Sequence, residues 1–559
     1  MKTNDERRET DRESLSMWFR SWRYFFWILA LILLVVFFYA EENFRGRWSW
    51  NHYQRELKAR GEPVDGSAFV PPPVADSENF AMTPLLAPLF EFIPGTQHWR
   101  DTNALTRAQS VVTNYNAAAS SLQSHARARS NSWVGPRTDL IAWQRALAGA
   151  RDRNKARTQS EGPIADGSTS PRRSAVEENG TTSQAGGTNL TFQEAATRLL
   201  AELSESDSAI QQLRADSRRS YSRFNIRYNE ENPAGILLPH LAVLNHFSHI
   251  LQLRSSAELA LGQTLEAFDD VYLMLYLAEA NRTEPFLISQ LVRLSELQLA
   301  LQPIAEGMRA WSEPQLRTLQ ERLGRFDFCA DVQRALQAER VFFAGGVIEF
   351  LRRSPGKFDA LTGPGAENDL PAMLWTIAPG GWFDFEKLAY NRLFEQYITP
   401  GIDLARRQIS PARAHQADND ITTLLTKPAS ALFFHHRWFS RILIPSVSRA
   451  FRRTALVQTG VDLAVTACAL ERYRRVHGGF PETLDALIPQ FLSKLPTDII
   501  NGQPLHYKRT EDGQYLLYSI GWNETDDGGE VPPRKGNPGQ LEENGDWVWR
   551  PELKPPEPK

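Results

Sequence analysis

At 559 residues the chain is longer than one ordinary domain, which points to roughly two to four. Its 42% hydrophobic and 23% charged residues supply a real core and exclude a wholly disordered chain. A formal net charge of -3, with no Lys/Arg block interleaved with aromatics, leaves no electrostatic footprint for nucleic acid.

Residues 1–21 form a polar N-terminal tail of mixed charge. Residues 22–40 (WRYFFWILALILLVVFFYA) read as a transmembrane anchor. The run over 24–40 is uncharged and as a helix would rise roughly 26 Å, the short end of a bilayer span. Trp18, Trp22, Tyr24, Trp27 and Tyr39 lie towards its ends, where amphipathic aromatics favour the interface. The apolar run is long for a cleavable signal, and bulky Phe38 stands where a small residue should precede a cut. An uncleaved signal anchor is therefore expected. Arginines flank the run on both sides, so charge alone does not orient it. Leaving the short tail in the cytoplasm puts the C-terminal bulk outside.

Residues 41–157 read as a juxtamembrane and helical segment. It opens on a short helical piece (NHYQRELKARG) ended by Gly61, and Pro71, Pro72 and Pro73 then force an extended strap. Helical pattern resumes after Thr102, with a break at 133–136. Residues 158–190 are rich in Ser, Thr, Gly and Glu and read as a flexible linker or insertion.

Residues 191–450 read as a helical body. Thr191 and Glu194 have the spacing of a capping box, and Ser312-Glu313-Pro314 opens another helix. Consecutive helices with short breaks predict antiparallel hairpins in a bundle or short solenoid. Phe385 to Gln396 reads as helix. Gly363, Gly365, Gly380 and Gly381 fit no phosphate-loop pattern and read as turn residues.

Few residues invite a chemical reading. His240, His246 and His249 share one predicted helix; His246 and His249 are spaced to share a face, which would suit a metal, but no HExxH pattern exists. His435 and His436 are adjacent and make no natural chelate. Asp269 and Asp270 form a carboxylate pair; the plainer expectation is one in solvent and one paired with an Arg. Cys329 and Cys468 form no CxxC motif and read as two buried thiols, with one disulfide as the alternative. No GxSxG or comparable nucleophile motif is present.

Residues 451–549 read as a small α+β unit, before a Pro-rich tail at 550–559. A long helix with Leu456, Val461, Leu463, Ala464, Ala467, Cys468 and Leu470 on its buried face ends at Gly478-Gly479. Asn501-Gly502 marks a tight turn, and LHYKR and QYLLYSIG predict an antiparallel hairpin. The succession Ala469-Leu470-Glu471-Arg472-Tyr473, Gly479-Phe480-Pro481-Glu482-Thr483-Leu484, Leu495-Pro496-Thr497-Asp498, Asn501-Gly502-Gln503-Pro504-Leu505 and Tyr518-Ser519-Ile520-Gly521 resembles the periplasmic domain of type II secretion major pseudopilins, and type IV pilin-like proteins generally. The resemblance implies a calcium-binding closing loop, whose matching residues here are Asn523, Asp526, Asp527 and Asp546; hard oxygen donors on a Gly-rich loop suit Ca²⁺. It departs from the family in one respect. The tail helix is far from the N-terminus, and no Gly-apolar-x-x-x-Glu processing site precedes either it or the 22–40 run, so a processed filament subunit is not expected. The whole chain also resembles large membrane-anchored planctomycete and verrucomicrobial proteins, which implies a bacterial envelope location.

The expected fold is therefore mainly α: an N-terminal transmembrane helix, a helical-hairpin bundle and a small α+β pseudopilin-like C-terminal domain. The expected function is that of a single-pass inner-membrane protein with its bulk in the periplasm. It would be a structural or interaction protein associated with a type II secretion or pilus-like system, with membrane lipid and envelope proteins as partners. The alternative is a membrane-anchored enzyme with its site in the helical body, around Asp269, His240 or His246.

Overall fold

The structure, a computed structural model, describes residues 4–94, 96–106, 115, 118–119, 122, 137–160, 190–354, 357, 374–426, 436–444, 447–530 and 543–550. The break at 133–136, residues 161–189 of the linker, Gly363, Gly365, His435 and the tail after Arg550 lie outside the described residues.

Helix α1 spans Asn4–Ala59. The apolar run and the NHYQRELKA piece are thus one continuous rod, not two elements. No proline interrupts it, and its one internal glycine, Gly46, is used for packing. It ends in a Schellman turn: Gly61 N–H bonds to Lys58 O (3.1 Å), Glu62 N–H bonds to Leu57 O (2.9 Å), and Gly61 takes the left-handed φ of 73° that the turn requires. Among the described residues this is the one helix long and apolar enough to cross a membrane, and none of its apolar window is buried in the protein. A core helix of that composition would be covered.

Beyond the apolar run, α1 lies against α11 (Gly380–Leu393). The two backbones nearly touch. A Cβ on Gly46 would fall 2.1 Å from Gly381 O, and one on Gly381 would fall 2.2 Å from Glu42 O. Gly380 and Gly381, expected as turn residues, are instead the first residues of α11, and at Gly381 only glycine admits this crossing. The Asn43 side chain accepts the Gly381 N–H at 2.8 Å, satisfying one of the donors a helix start leaves orphaned. Further along, Tyr53 donates to Glu395 at 2.8 Å, and Arg340 reaches Glu62 at 2.7 Å.

The body is built from α2 (Leu140–Ser160), α3 (Phe192–Leu203), α4 (Asp207–Asp216), α5 (Pro239–Ala260), α6 (Thr264–Ala280), α7 (Leu287–Glu306), α8 (Glu313–Leu323), α9 (Phe328–Ala338) and α10 (Gly345–Arg353). Local signals start several of these helices. Thr191 and Glu194 close a capping box, Ser312 and Gln315 close another, and Asp327 caps Ala330 N–H. The helices α5, α6 and α7 pack on one another and are buried on more than one side, so they carry no clean polar face. A π-helical turn at Glu339–Ala344 joins α9 to α10.

Two short strands, β1 (Ile402–Asp403) and β2 (Gln408–Ile409), precede α12 (Pro411–Leu425), α13 (Trp438–Leu443) and α14 (Val447–His477). The residues expected on the buried face of α14 are all buried, as are Phe451 and Ala455. This helix packs against α7, α8 and α12, so body and tail share one hydrophobic core. Each Leu or Phe fully buried there contributes roughly 1.5–3 kcal/mol relative to exposure. After α14 the hairpin β3 (His506–Arg509) and β4 (Tyr515–Ser519) pairs antiparallel, Tyr507 opposite Leu517. A third strand, β5 (Trp547–Trp549), pairs antiparallel with β4, giving the order β3-β4-β5. The protein is mainly helical with small sheets.

Candidate functional site

The three helix histidines do not converge. His240 is fully buried, stacked on Phe224 at 4.0 Å, with Nε2 2.7 Å from Glu284 Oε1. Ser289 Oγ donates to the other Glu284 oxygen at 2.5 Å. The carboxylate thus lies between the serine and the imidazole, so the histidine does not face the serine as a nucleophile's base must. The sequence hid this partner because Glu284 lies on the loop after α6. His249 faces the Tyr115 hydroxyl at 3.2 Å; burial, with a smaller push from His246, pulls its ring to about 4 and keeps it neutral. Burial also lowers His246.

The Asp269–Asp270 pair is split as expected. Asp269 is exposed, whereas Asp270 is fully buried between Arg214 and Arg254, the latter at 2.9 Å. Glu258 sits beside them, pushed up to about 8 by burial and by the Asp270 charge. A second buried set escaped the sequence altogether. Arg293 donates to Ala278 O at 2.7 Å and Asp331 Oδ2 at 3.1 Å. Glu296, one turn further along α7, is fully buried with neither carboxyl oxygen hydrogen-bonded, and burial raises it far above the usual carboxyl range. It is therefore held neutral. The carboxyls of Glu258, Asp270 and Glu296 and the Arg293 guanidinium are buried among the helices. Cys329 and Cys468 are free and buried, each thiol pushed up to about 12 chiefly by burial, which makes both inert.

An open groove of about 1170 Å³ lies beside Trp50 and Gln54 of α1, bounded by the proline strap, α10 and α11. Trp50, Pro71, Pro73, Phe342, Glu349 and Lys387 line it. Lys387 lies over the Trp50 ring at 5.1 Å and 3.3 Å from Glu349. Burial pushes the Glu349 carboxyl up, but Arg352, Lys387 and Arg353 outweigh it and hold the group at about 2. Asp65, Glu230, Glu231 and Arg223 also line the groove, beside the Glu349 pairs and the apolar rings.

The acidic tail loop is organised by its own donors. Asp526 accepts from the Tyr518 hydroxyl and Gly528 N–H, both at 3.0 Å, and lies 3.4 Å from His506. Asp546 accepts Gly529 N–H at 2.6 Å and Asp527 N–H at 3.3 Å. Asn523 donates to Asp527 at 2.9 Å. Partial burial raises the Asp546 carboxyl, and the charges of Asp527 and Asp526 add to the rise. Among the described residues no three His, Cys, Asp or Glu side chains are grouped to hold a metal ion. Comparison with protein-family models, curated proteins and solved structures finds no match.

Proposed function

We propose that this chain is a single-pass membrane-anchored interaction protein of the bacterial envelope, with its helical body and tail on the far side of the membrane from its N-terminus. The supporting observation is α1: one helix carries an uncovered apolar run and then continues into the body, where α11 grips it. Such a rod holds the body at a set height and orientation above the bilayer. A body whose candidate groups, the His240–Glu284 and Asp270–Arg254 sets, are buried and turned onto one another suits a scaffold better than a catalyst, which needs a titrating group facing a substrate.

The tail supports a pseudopilin-like reading. A long helix is followed by a three-stranded antiparallel meander, with the acidic loop between the second and third strands. On this reading the tail is a contact module fused to a different body and associates with a type II secretion or pilus-like assembly. The test is membrane fractionation in the native host. Full-length protein should resist alkaline extraction, its tail should be digested by protease added to spheroplasts, and photo-crosslinkers on the edge strand β3 should capture secretion or pilus components. Release by alkali overturns the anchor, protection of the tail overturns the orientation, and absence of those components from the adducts overturns the association.

The pseudopilin-like reading carries with it a calcium ion on the tail loop, with Asp526, Asp527 and Asp546 as carboxylate donors and Asn523 as a neutral oxygen donor. Thermal unfolding in calcium and in chelator decides it. A higher Tm in calcium, lost in Asp526→Ala and Asp546→Ala, supports the ion; equal Tm values remove it.

A further inference from the structure

We infer that residues 374–382 form a second membrane contact, in which Ile377 and Trp382 seat the body in the headgroup layer of the bilayer that α1 crosses. The inference rests on reading 22–40 as the span. It is carried by the height at which this segment meets α1. Tyr39, next to the end of the apolar run, donates its hydroxyl hydrogen bond to the Ile377 carbonyl. Long side chains on a helix lean towards its N-terminus, so the Tyr39 hydroxyl lies level with the apolar run rather than above it. The Ile377 backbone is therefore at that level too. Trp382 lies edge-on to Phe38, with ring centroids 6.4 Å apart, while its indole N–H donates to Glu42 at 3.0 Å. Half-buried against the body, its ring thus meets α1 at the end of the apolar run and its N–H one turn further on, the level an interfacial tryptophan takes.

Lipid is the occupant this surface fits. Ile377 is 64% exposed on the protein, and its neighbours in height on α1, Phe37 at 72% and Phe38 at 42%, belong to the same uncovered run. The patch is thus continuous with the lipid-facing surface. The headgroup layer is roughly 5–8 Å deep on each side, about the rise of the next turn of α1. That turn holds Glu42 and Asn43, which bond Trp382 and the start of α11. The Gly46–Gly381 crossing lies just above and leaves the segment no room to move away. The body is therefore docked on the membrane at two points, which fixes its rotation as well as its height.

The test uses full-length protein in phosphatidylcholine–phosphatidylglycerol vesicles. An environment-sensitive fluorophore is placed in turn at Leu31→Cys in the run, Ile377→Cys, and Leu265→Cys on the body; all three positions are exposed, so the core is untouched. The native cysteines are buried and take no label in the folded protein. Nitroxide lipids should quench most of the emission at positions 31 and 377 and leave 265 unchanged. Quenching at 31 with a water-like, unquenched 377 overturns the second contact and leaves the span standing. A blue-shifted but unquenched 377 also overturns it, because a protein then covers the patch. No quenching at 31 removes the span and this inference with it.

Discussion

The α1–α11 crossing predicts opposite outcomes for one substitution at two helical glycines. In an exposed helix Gly→Ala gains about 1 kcal/mol. At Gly149, on α2, the new Cβ meets only the flexible Arg153 guanidinium at 3.4 Å, so the gain should survive. At Gly46 the new Cβ lies 2.1 Å from Gly381 O, where ordinary contact begins at 3.4 Å. The backbones must part by about 1.3 Å. Overpacking of this kind costs roughly 1–3 kcal/mol, and parting also stretches the Asn43–Gly381 hydrogen bond, worth about 1 kcal/mol. Gly46→Ala should therefore be destabilised by about 1–3 kcal/mol net. Thermal unfolding of detergent-solubilised full-length protein, followed by tryptophan emission, reads both variants, and Trp382 beside the crossing reports the local change. A Tm for Gly46→Ala that rises alongside Gly149→Ala would refute the close-packed crossing.

Arg407 and the buried Asp462 form a two-pronged ion pair with both contacts at 3.0 Å. Arg407→Ala leaves Asp462 unneutralised and should lower the urea-derived stability by about 3–5 kcal/mol. Ser312→Ala opens the capping box of α8 and should cost about 1 kcal/mol in the same measurement. Glu386 is fully buried and accepts the Trp438 and Phe439 N–H groups; burial outweighs those bonds and pushes it up from the usual 4.5 to about 8. The folded state then holds a proton that the unfolded chain releases. The contribution to stability is complete below 4.5 and falls as pH rises through about 8. A Tm–pH profile should slope down over that range, and Glu386→Gln should flatten it; an unchanged slope assigns the loss to other groups.

What the sequence makes legible is local. The apolar run at 22–40 declares itself by composition, Thr191 and Ser312 by capping chemistry, and the β3–β4 hairpin by alternation and a Gly turn. Missing from the sequence is whatever depends on a partner far along the chain. Glu284 orients His240, Arg214 holds Asp270 and Arg407 holds Asp462, and no spacing rule connects those pairs. Gly381 looks like a turn residue because its reason for being glycine is the approach of the α1 backbone at Glu42 and Gly46, more than three hundred positions away in the chain. The continuity of α1 past residue 40 was hidden by the abrupt change from apolar to charged residues. That change is one of side-chain character along a single unbroken helix, not a place where the helix stops. The shared core of body and tail was hidden in the same way, because α14 is apolar on the faces that meet α7, α8 and α12.

The central claim is that α1 is one rod from the bilayer into the body. Spin labels at Leu33 and Arg55, both exposed on α1, test it most directly in lipid nanodiscs by pulsed dipolar spectroscopy. An unbroken helix predicts a narrow distance distribution centred near roughly 33 Å, from the helical rise over the intervening residues. A broad distribution, or one centred well short of that value, would mean a hinge at the membrane surface and would contradict the account.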